Sequence, residues 1–343
     1  MSRTDARLAP QRGFTLIEML VVLSILGVLM GLSVAAFQRS VPHRDLARRA
    51  LLDALRHARL FAIAENAPAL VVLEPGTEEG WPTVQAIGRK TVGNWHLEGT
   101  DLLGWPVDAR GAGIEEEPAG ALARAVRLSA EEASWLEVPM VPAFEARDGF
   151  ALEVFLALPR WRGQLLFSKG RAIALRLDSG GALALQVQVV TRDEAGEPKL
   201  TFQSVATPPG VVPLGRFFKL AATFDGLQLR LTVDDAVVGE LALLRRAPFD
   251  PDAGTPLFFG QVDQPAEFAL DELKWGIYAG DTQELREMEL GAGARFVRFG
   301  PDGALDPRFH QGPAELCVRP PTESPDRKPI ETWVRVGPLG DVQ

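Results

Sequence analysis

The sequence predicts an α+β fold: a long N-terminal transmembrane and amphipathic α-helix packed on a small antiparallel sheet, with an inserted all-β sandwich. Three observations predict it. An apolar run from Phe14 to Phe37 continues as helical spacing to about residue 66. Short alternating segments broken by Gly, Pro and Asp fill the chain from about Thr91 to Tyr278. Further short strands follow between residues 293 and 343.

The N-terminal run, FTLIEMLVVLSILGVLMGLSVAAF, holds 24 residues and one charge, Glu18. At ~1.5 Å per residue it reaches about 36 Å, enough for a hydrocarbon core of ~30 Å. Arg3, Arg7 and Arg12 against Asp5 form a basic flank ahead of it, as for a helix inserted with its N-terminus in the cytoplasm. Arg39, Arg44, Arg48 and Arg49 behind it blur that asymmetry. Three readings compete for such a run. A cleaved secretory signal finds small residues at Ser33-Val34-Ala35, but the run exceeds the usual ~7–15 residues and holds a carboxylate. A plain membrane anchor leaves Glu18 unexplained, because an ionised side chain in hydrocarbon costs on the order of 3 kcal/mol. The third reading gives Glu18 a function.

The stretch Gly13-Phe14-Thr15-Leu16-Ile17-Glu18-Met19-Leu20 resembles the class III leader of type IV pilins and type II secretion pseudopilins. That signal is a small residue, Phe, a Glu fifth in the mature chain, and an unbroken apolar run. The resemblance implies that residues 1–13 are a leader, cut between Gly13 and Phe14 by a prepilin peptidase, with N-methylation of Phe14. It implies that Glu18 serves assembly, pairing with the Phe14 ammonium of its own or a neighbouring subunit. Two charges that are each costly in lipid become tolerable as a pair. The implied partners are the peptidase, other pilin or pseudopilin subunits and the bacterial inner membrane. Residues 14–37 would cross that membrane once, with the C-terminal domains periplasmic or carried in a filament.

Beyond the membrane, Leu46, Ala50, Leu51, Ala54, Leu55, Ala58, Phe61 and Ala62 recur at three- and four-residue spacing, an amphipathic helix facing a core. Pro42 is placed to kink the helix, and Asn66-Ala67-Pro68 to end it. The segment 54–62, Ala-Leu-Arg-His-Ala-Arg-Leu-Phe-Ala, is similar to that of GspH/FimT-type pseudopilins. One strand, Ala69–Leu73, follows.

In the middle of the chain, segments 151–158, 172–177, 182–189 and 227–233 alternate apolar and polar side chains, the signature of half-buried strands in a sandwich. The order of phrases is more specific: Val92–Glu98, Ala125–Leu128, Trp135–Val138, Phe150–Phe155, Gly215–Gly226, Leu229–Asp235 and Ala269–Trp275. Together they resemble a concanavalin A-like, LamG-type jelly roll over residues 92–280. Two departures stand out. Asp234-Asp235 replaces the usual Asp-Gly, so the hairpin turn there is built differently. Ala109–Ile114 replaces an early Asp/Ser/Gly/Asn-rich loop, which removes the basis for a ligand or calcium site near it.

Residues 294–299, 314–319 and 331–336 read as strands, with a Gly-Pro-Asp-Gly turn at 300–303. They resemble the last strands of GspH-type pseudopilins. The pilin-like globular domain is therefore expected over 38–91 and 281–343, with 92–280 inserted in one of its loops. Such insertion is tolerated where the guest's termini lie close together.

Composition narrows the function. Thirty-six basic against 45 acidic residues give a formal charge of −9, so no nucleic-acid partner is expected. Cys317 is the single cysteine, which excludes an intrachain disulfide. His43, His57, His96 and His310 lack metal-ligand spacing, and no metal or cofactor is expected. A glycosidase would need two acidic side chains on one strand face; Glu153 stands alone and Asp271-Glu272 alternate in an ideal strand. Asp271 reads as a turn carboxylate, and Trp95, Trp135, Trp161 and Trp275 as core residues. The expected function is a non-enzymatic minor pilin or pseudopilin of a type II secretion system or type IV pilus. Its sandwich would make ligand, cargo or adhesion contacts with a carbohydrate or protein. The alternative is a membrane-anchored carbohydrate-active enzyme or lectin that uses the leader for export.

Overall fold

The computed structural model describes residues 16–40, 43–76, 80–96, 108–110, 115–117, 121, 125–131, 134–139, 142–192, 197–243, 245–247, 249, 254–260, 266–321 and 330–343. The α-helical residues fall in α1 (Leu16–Ser40) and α2 (His43–Ala64); residues 41–42, where Pro42 is expected to kink the helix, lie outside the described residues.

Helix α2 buries Ala47, Leu51, Ala54, Leu55, Ala58 and Ala62, a stripe at three- and four-residue spacing. Leu46 and Phe61, expected in that stripe, sit at its margin and stay 48% and 41% exposed. The helix ends in a complete Schellman motif. Asn66 adopts φ 46°, its N–H bonds Ile63 O (3.4 Å), and the Ala67 N–H bonds Ala62 O (3.1 Å). Pro68 follows and prevents continuation.

The strands are β1 (Ala69–Glu74), β2 (Thr83–Trp95), β3 (Asp108–Arg110), β4 (Glu115–Glu117), β5 (Ala125–Leu128), β6 (Trp135–Val138) and β7 (Gly149–Ala157). They continue with β8 (Gln164–Lys169), β9 (Ile173–Leu177), β10 (Leu183–Arg192), β11 (Pro198–Ala206), β12 (Phe217–Phe224), β13 (Gln228–Val233) and β14 (Ala236–Ala242). The last are β15 (Leu257–Phe259), β16 (Phe268–Ala279), β17 (Thr282–Glu284), β18 (Glu289–Leu290), β19 (Phe296–Phe299), β20 (Ala314–Arg319) and β21 (Thr332–Val336).

One sheet runs β14-β13-β12-β7-β16-β2-β1-β19, with β5 also on β16 and β17 on β2; a second runs β11-β10-β9-β8-β15-β6-β3. A third, β18-β20-β21, is small. The two large sheets face each other over a core whose buried residues all fall between Trp95 and Trp275. A second core joins the α2 stripe to Val71, Leu73, Val84, Val297, Phe299 and the inner faces of β20 and β21. Its buried residues all fall in the segments Ala47 to Ala86 and Leu285 to Val336. A third cluster (Leu70, Val72, Ile87, Ala151, Leu227 and Tyr278) bridges them on the opposite face of β1 and β2.

Strand β2 serves both large cores. Residues 83–87 pair with β1, and residues 88–95 pair with β16. The position between residues 91 and 92 therefore lies inside a strand.

The β13–β14 hairpin turns on Asp234 (φ 49°) and Asp235 (φ 64°). Positive φ at both central residues marks a two-residue type I′ turn, which holds the register normally set by Asp-Gly. Asp234 anchors it by accepting the Lys219 backbone N–H (3.0 Å) and a bond from Arg216 (2.6 Å).

Candidate functional site

Gly13 and Phe14 lie outside the described residues, as does the side chain of Glu18, whose backbone is in the first turn of α1. The described apolar side chains of α1 are open to solvent, from Leu16 (79%) to Met30 (71%). Ser24 satisfies its hydroxyl on the helix itself, donating to Leu20 O at 2.8 Å, as a hydroxyl in an apolar surrounding must. Among the described residues no helix is long and apolar enough to cross a membrane. The described side chains of α1 stop at Met30, and the sequence carries the apolar run on to Phe37.

A second constellation lies at the seam between the two large cores, and no linear motif announces it. Arg298 on β19 is 1% exposed, wedged between Asp225 of the β12–β13 turn and Asp306 beyond β19. Its Nη2 and Nε donate to Asp225 Oδ2 at 2.6 and 3.1 Å, Nη1 donates to Asp306, and Nη2 also reaches Gln228 Oε1 at 3.0 Å. The Phe309 ring lies 4.7 Å from the guanidinium carbon. Asp225 is held in turn by the backbone N–H groups of Leu227 and Gln228. Burial pushes Asp306 up, but the Arg308 hydrogen bond and the Arg298 charge outweigh it and hold the carboxyl below its ordinary value. His310 Nε2 accepts the Arg298 backbone N–H at 2.9 Å, so this nitrogen is unprotonated. Burial, with Arg298 adding to it against Asp306, lowers the pKa of that ring.

Beside this network is a cavity of about 290 Å³. The outward faces of β7, β12 and β13 form its floor and rim; Glu65–Pro68 from the α2 terminus and Pro301 close it. On the rim Glu153 bonds Arg89 at 2.5 Å and lies 3.5 Å from Lys219, which also meets Asp235 at 2.9 Å. Burial raises Glu153, but these cations prevail and hold its carboxyl below its ordinary value. Tyr278 lines the cavity, and burial with the Asp225 charge pushes its phenol well up.

The other singled-out residues have structural settings. Trp95 and Trp275 are core residues; Trp275 stacks on Phe150 and donates to Phe144 O. Trp161 differs from the core expectation. It is 38% exposed, lies over Gly181 and donates to Val212 O, and Trp135 is half-buried. Asp271 accepts the backbone N–H groups of Ala121 and Glu272, but from within strand β16 and not from the turn that the sequence suggested. A bulge between Asp271 and Lys274, with Glu272 at φ 49°, breaks the expected alternation, so both carboxylates are buried; Glu272 meets His96 at 2.5 Å.

The model of the prokaryotic N-terminal methylation motif matches residues 8–34. The chain thus opens with a prepilin-type leader and N-methylation segment. Among curated proteins none matches the chain. Among solved structures, the binding domain of Paraclostridial Mosquitocidal Protein 1 is similar over 55% of this chain, at 14% identity and a TM-score of 0.43. The match spans 49% of that chain, about half its length. Domain 4 of AbnA, a GH43 extracellular arabinanase from Geobacillus stearothermophilus solved with arabinotriose, matches 56% of this chain and 95% of its own, at 14% identity and TM-score 0.39. The binding domain of Botulinum Neurotoxin DC in complex with SialylT matches 73% and 72%, at 8% identity and TM-score 0.39. These TM-scores are too low to carry topology or function across.

Proposed function

We propose that this chain is a non-enzymatic minor pilin or pseudopilin, cleaved after Gly13 and assembled through its N-terminal helix in a type II secretion system or type IV pilus. The observation that carries the reading is the methylation motif over residues 8–34, running directly into α1. Cleavage leaves Phe14 as the N-terminus, with Glu18 four residues on, close enough along a helix to meet its own ammonium or that of the next subunit. Residues 14–37 anchor the chain in the inner membrane. Residues 38–91 and 281–343 form a GspH/FimT-type globular domain, and 92–280 a LamG-type sandwich that makes ligand, cargo or adhesion contacts. The partition of buried residues between the two large cores supports that division. The absence of catalysis is supported by the acidic residues themselves: Glu153 is tied to cations and Asp271 to backbone amides.

Mass spectrometry of the protein from a host with a prepilin peptidase tests this. The expected mature chain begins at N-methylated Phe14. A chain beginning at Ala36, or one that keeps Met1, refutes the reading. Gly13→Leu should leave the precursor uncut. Glu18→Ala should be cut and inserted but excluded from assembled complexes, and normal incorporation would remove the assembly role from Glu18.

A further inference from the structure

We propose that the seam cavity binds a small, neutral, polyhydroxylated ligand about the size of one sugar ring. The site is separate from the N-terminal assembly segment, and the inference does not depend on it. Its shape follows from strand alternation. On β12, Phe218, Leu220, Ala222 and Phe224 point into the sandwich core, which leaves Lys219, Ala221 and Thr223 on the outer face. Cross-strand register sets Ala221 between Glu153 and Thr232, and Thr223 beside Arg230. Short side chains in the middle and long charged ones at the edge make a hollow in an otherwise flat sheet, and the α2 terminus closes it from above.

Charge decides the class of ligand. Arg89 faces Glu153, Lys219 faces Asp235, Arg298 faces Asp225, and Arg230 lies 3.6 Å from Glu240. Each cation of the rim has its carboxylate, and Glu65 at the α2 terminus brings the lining to four charges of each sign, so the hollow carries no net charge to draw an ion in and an anion entering it would have to break a pair. A neutral hydroxyl does not. It accepts a spare N–H from a guanidinium and donates to a free lone pair of a carboxylate, leaving the pair intact.

Two guanidinium N–H groups are the second indication. Arg89 Nε and Arg230 Nε are buried without a hydrogen-bond partner among the described residues, and both side chains line the hollow beside Tyr278, itself 2% exposed. A buried polar group without a partner costs about 1–3 kcal/mol, which a hydroxylated occupant would relieve. A volume of about 290 Å³ is at the small end of ligand pockets, room for one ring rather than a polymer.

The test uses the full chain in detergent micelles, titrated separately with D-glucose, D-galactose and D-mannose and followed by saturation-transfer NMR and calorimetry. Inorganic phosphate and D-galacturonate are the charged arms. At least one neutral hexose should bind with a Kd in the millimolar range and more tightly than either anion. Ala221→Phe, which fills the hollow from an outward-facing position, should abolish binding. Tyr278→Phe should weaken it roughly five- to tenfold, the worth of one hydrogen bond. Thr223→Val is the milder floor variant if Ala221→Phe unfolds, and it too should weaken binding. No saturation transfer with any neutral hexose, tighter binding of an anion, or full binding by a folded Ala221→Phe or Thr223→Val protein overturns the proposal.

Discussion

Replacing Arg298 by Met keeps the volume of the side chain and removes its charge from between two carboxylates. Asp225 is 3% and Asp306 2% exposed, so neither can turn to water. Asp306 keeps Arg308 at 2.9 Å, but Asp225 loses its charged partner altogether. Breaking a buried pair from one side costs about 3–5 kcal/mol, and losing the contact with the Phe309 ring adds about 1 kcal/mol. A loss of about 4–6 kcal/mol is therefore expected, read as a lower urea midpoint with Trp fluorescence and far-UV circular dichroism as probes. The loss should also separate the transitions of the two large cores, because Arg298 belongs to the α2 side and Asp225 to the sandwich. Removing all three charges together, with Asp225→Leu and Asp306→Leu added to Arg298→Met, should recover most of the stability, since no unpaired charge then remains. A loss under about 1 kcal/mol for Arg298→Met, or a triple variant as weak as the single one, would refute the claim that unpaired burial sets the cost.

Two further outcomes follow from local geometry. The depressed pKa of His310 means that the folded protein resists its protonation while the unfolded chain does not. Its contribution is therefore intact well above pH 6.5 and declines as the pH falls through that ordinary value. His310→Gln, able to accept the same backbone N–H, should flatten urea midpoints measured between pH 7.5 and 5.5, and an unchanged slope would exclude His310 as the titrating group. Asp235→Gly should stabilise by up to about 1 kcal/mol, because φ 64° is strained for a side chain and free for glycine, less the exposed Lys219 pair it removes. Thermal melting would show this as a rise of about 2–4 °C, and a fall would mean that the Lys219–Asp235 pair outweighs the turn.

How much was legible in the sequence depended on whether one residue sufficed to report its surroundings. Strands with one buried face announced themselves, and β7, β9, β10, β13, β20 and β21 fall within two or three residues of the alternating segments. Strand β8 did not, because all six of its residues are buried and nothing alternates. Strand β11 was hidden for the opposite reason, its side chains being mostly exposed. Asn66-Ala67-Pro68 was readable as a helix stop because the cap is local. The seam was not. Arg298, Asp225, Glu153 and Tyr278 come from four different strands and turns, and each alone resembles an ordinary surface or strand residue. A buried arginine in a short strand is the nearest thing to a signal, and sequence does not report burial of a single charge.

Strand β2 matters most for how such a chain works. A guest module joined to its host by two peptides alone would swing on them. Here the connecting backbone is itself a strand that leaves β1 and proceeds along β16 without interruption between its two partners. Tilting the sandwich away from α2 would have to break β2–β16 pairs, expose Leu70, Val72 and Ile87, and pull Asp225 from Arg298. Each of these costs on the order of a kilocalorie or more, and they fail together rather than in turn. The direction of the sandwich relative to α2 is therefore set by folding, not by linker length. A load applied to the sandwich passes along the β2 backbone and the seam to α2. A ligand bound in the seam cavity would touch both sides of that joint and stiffen it further.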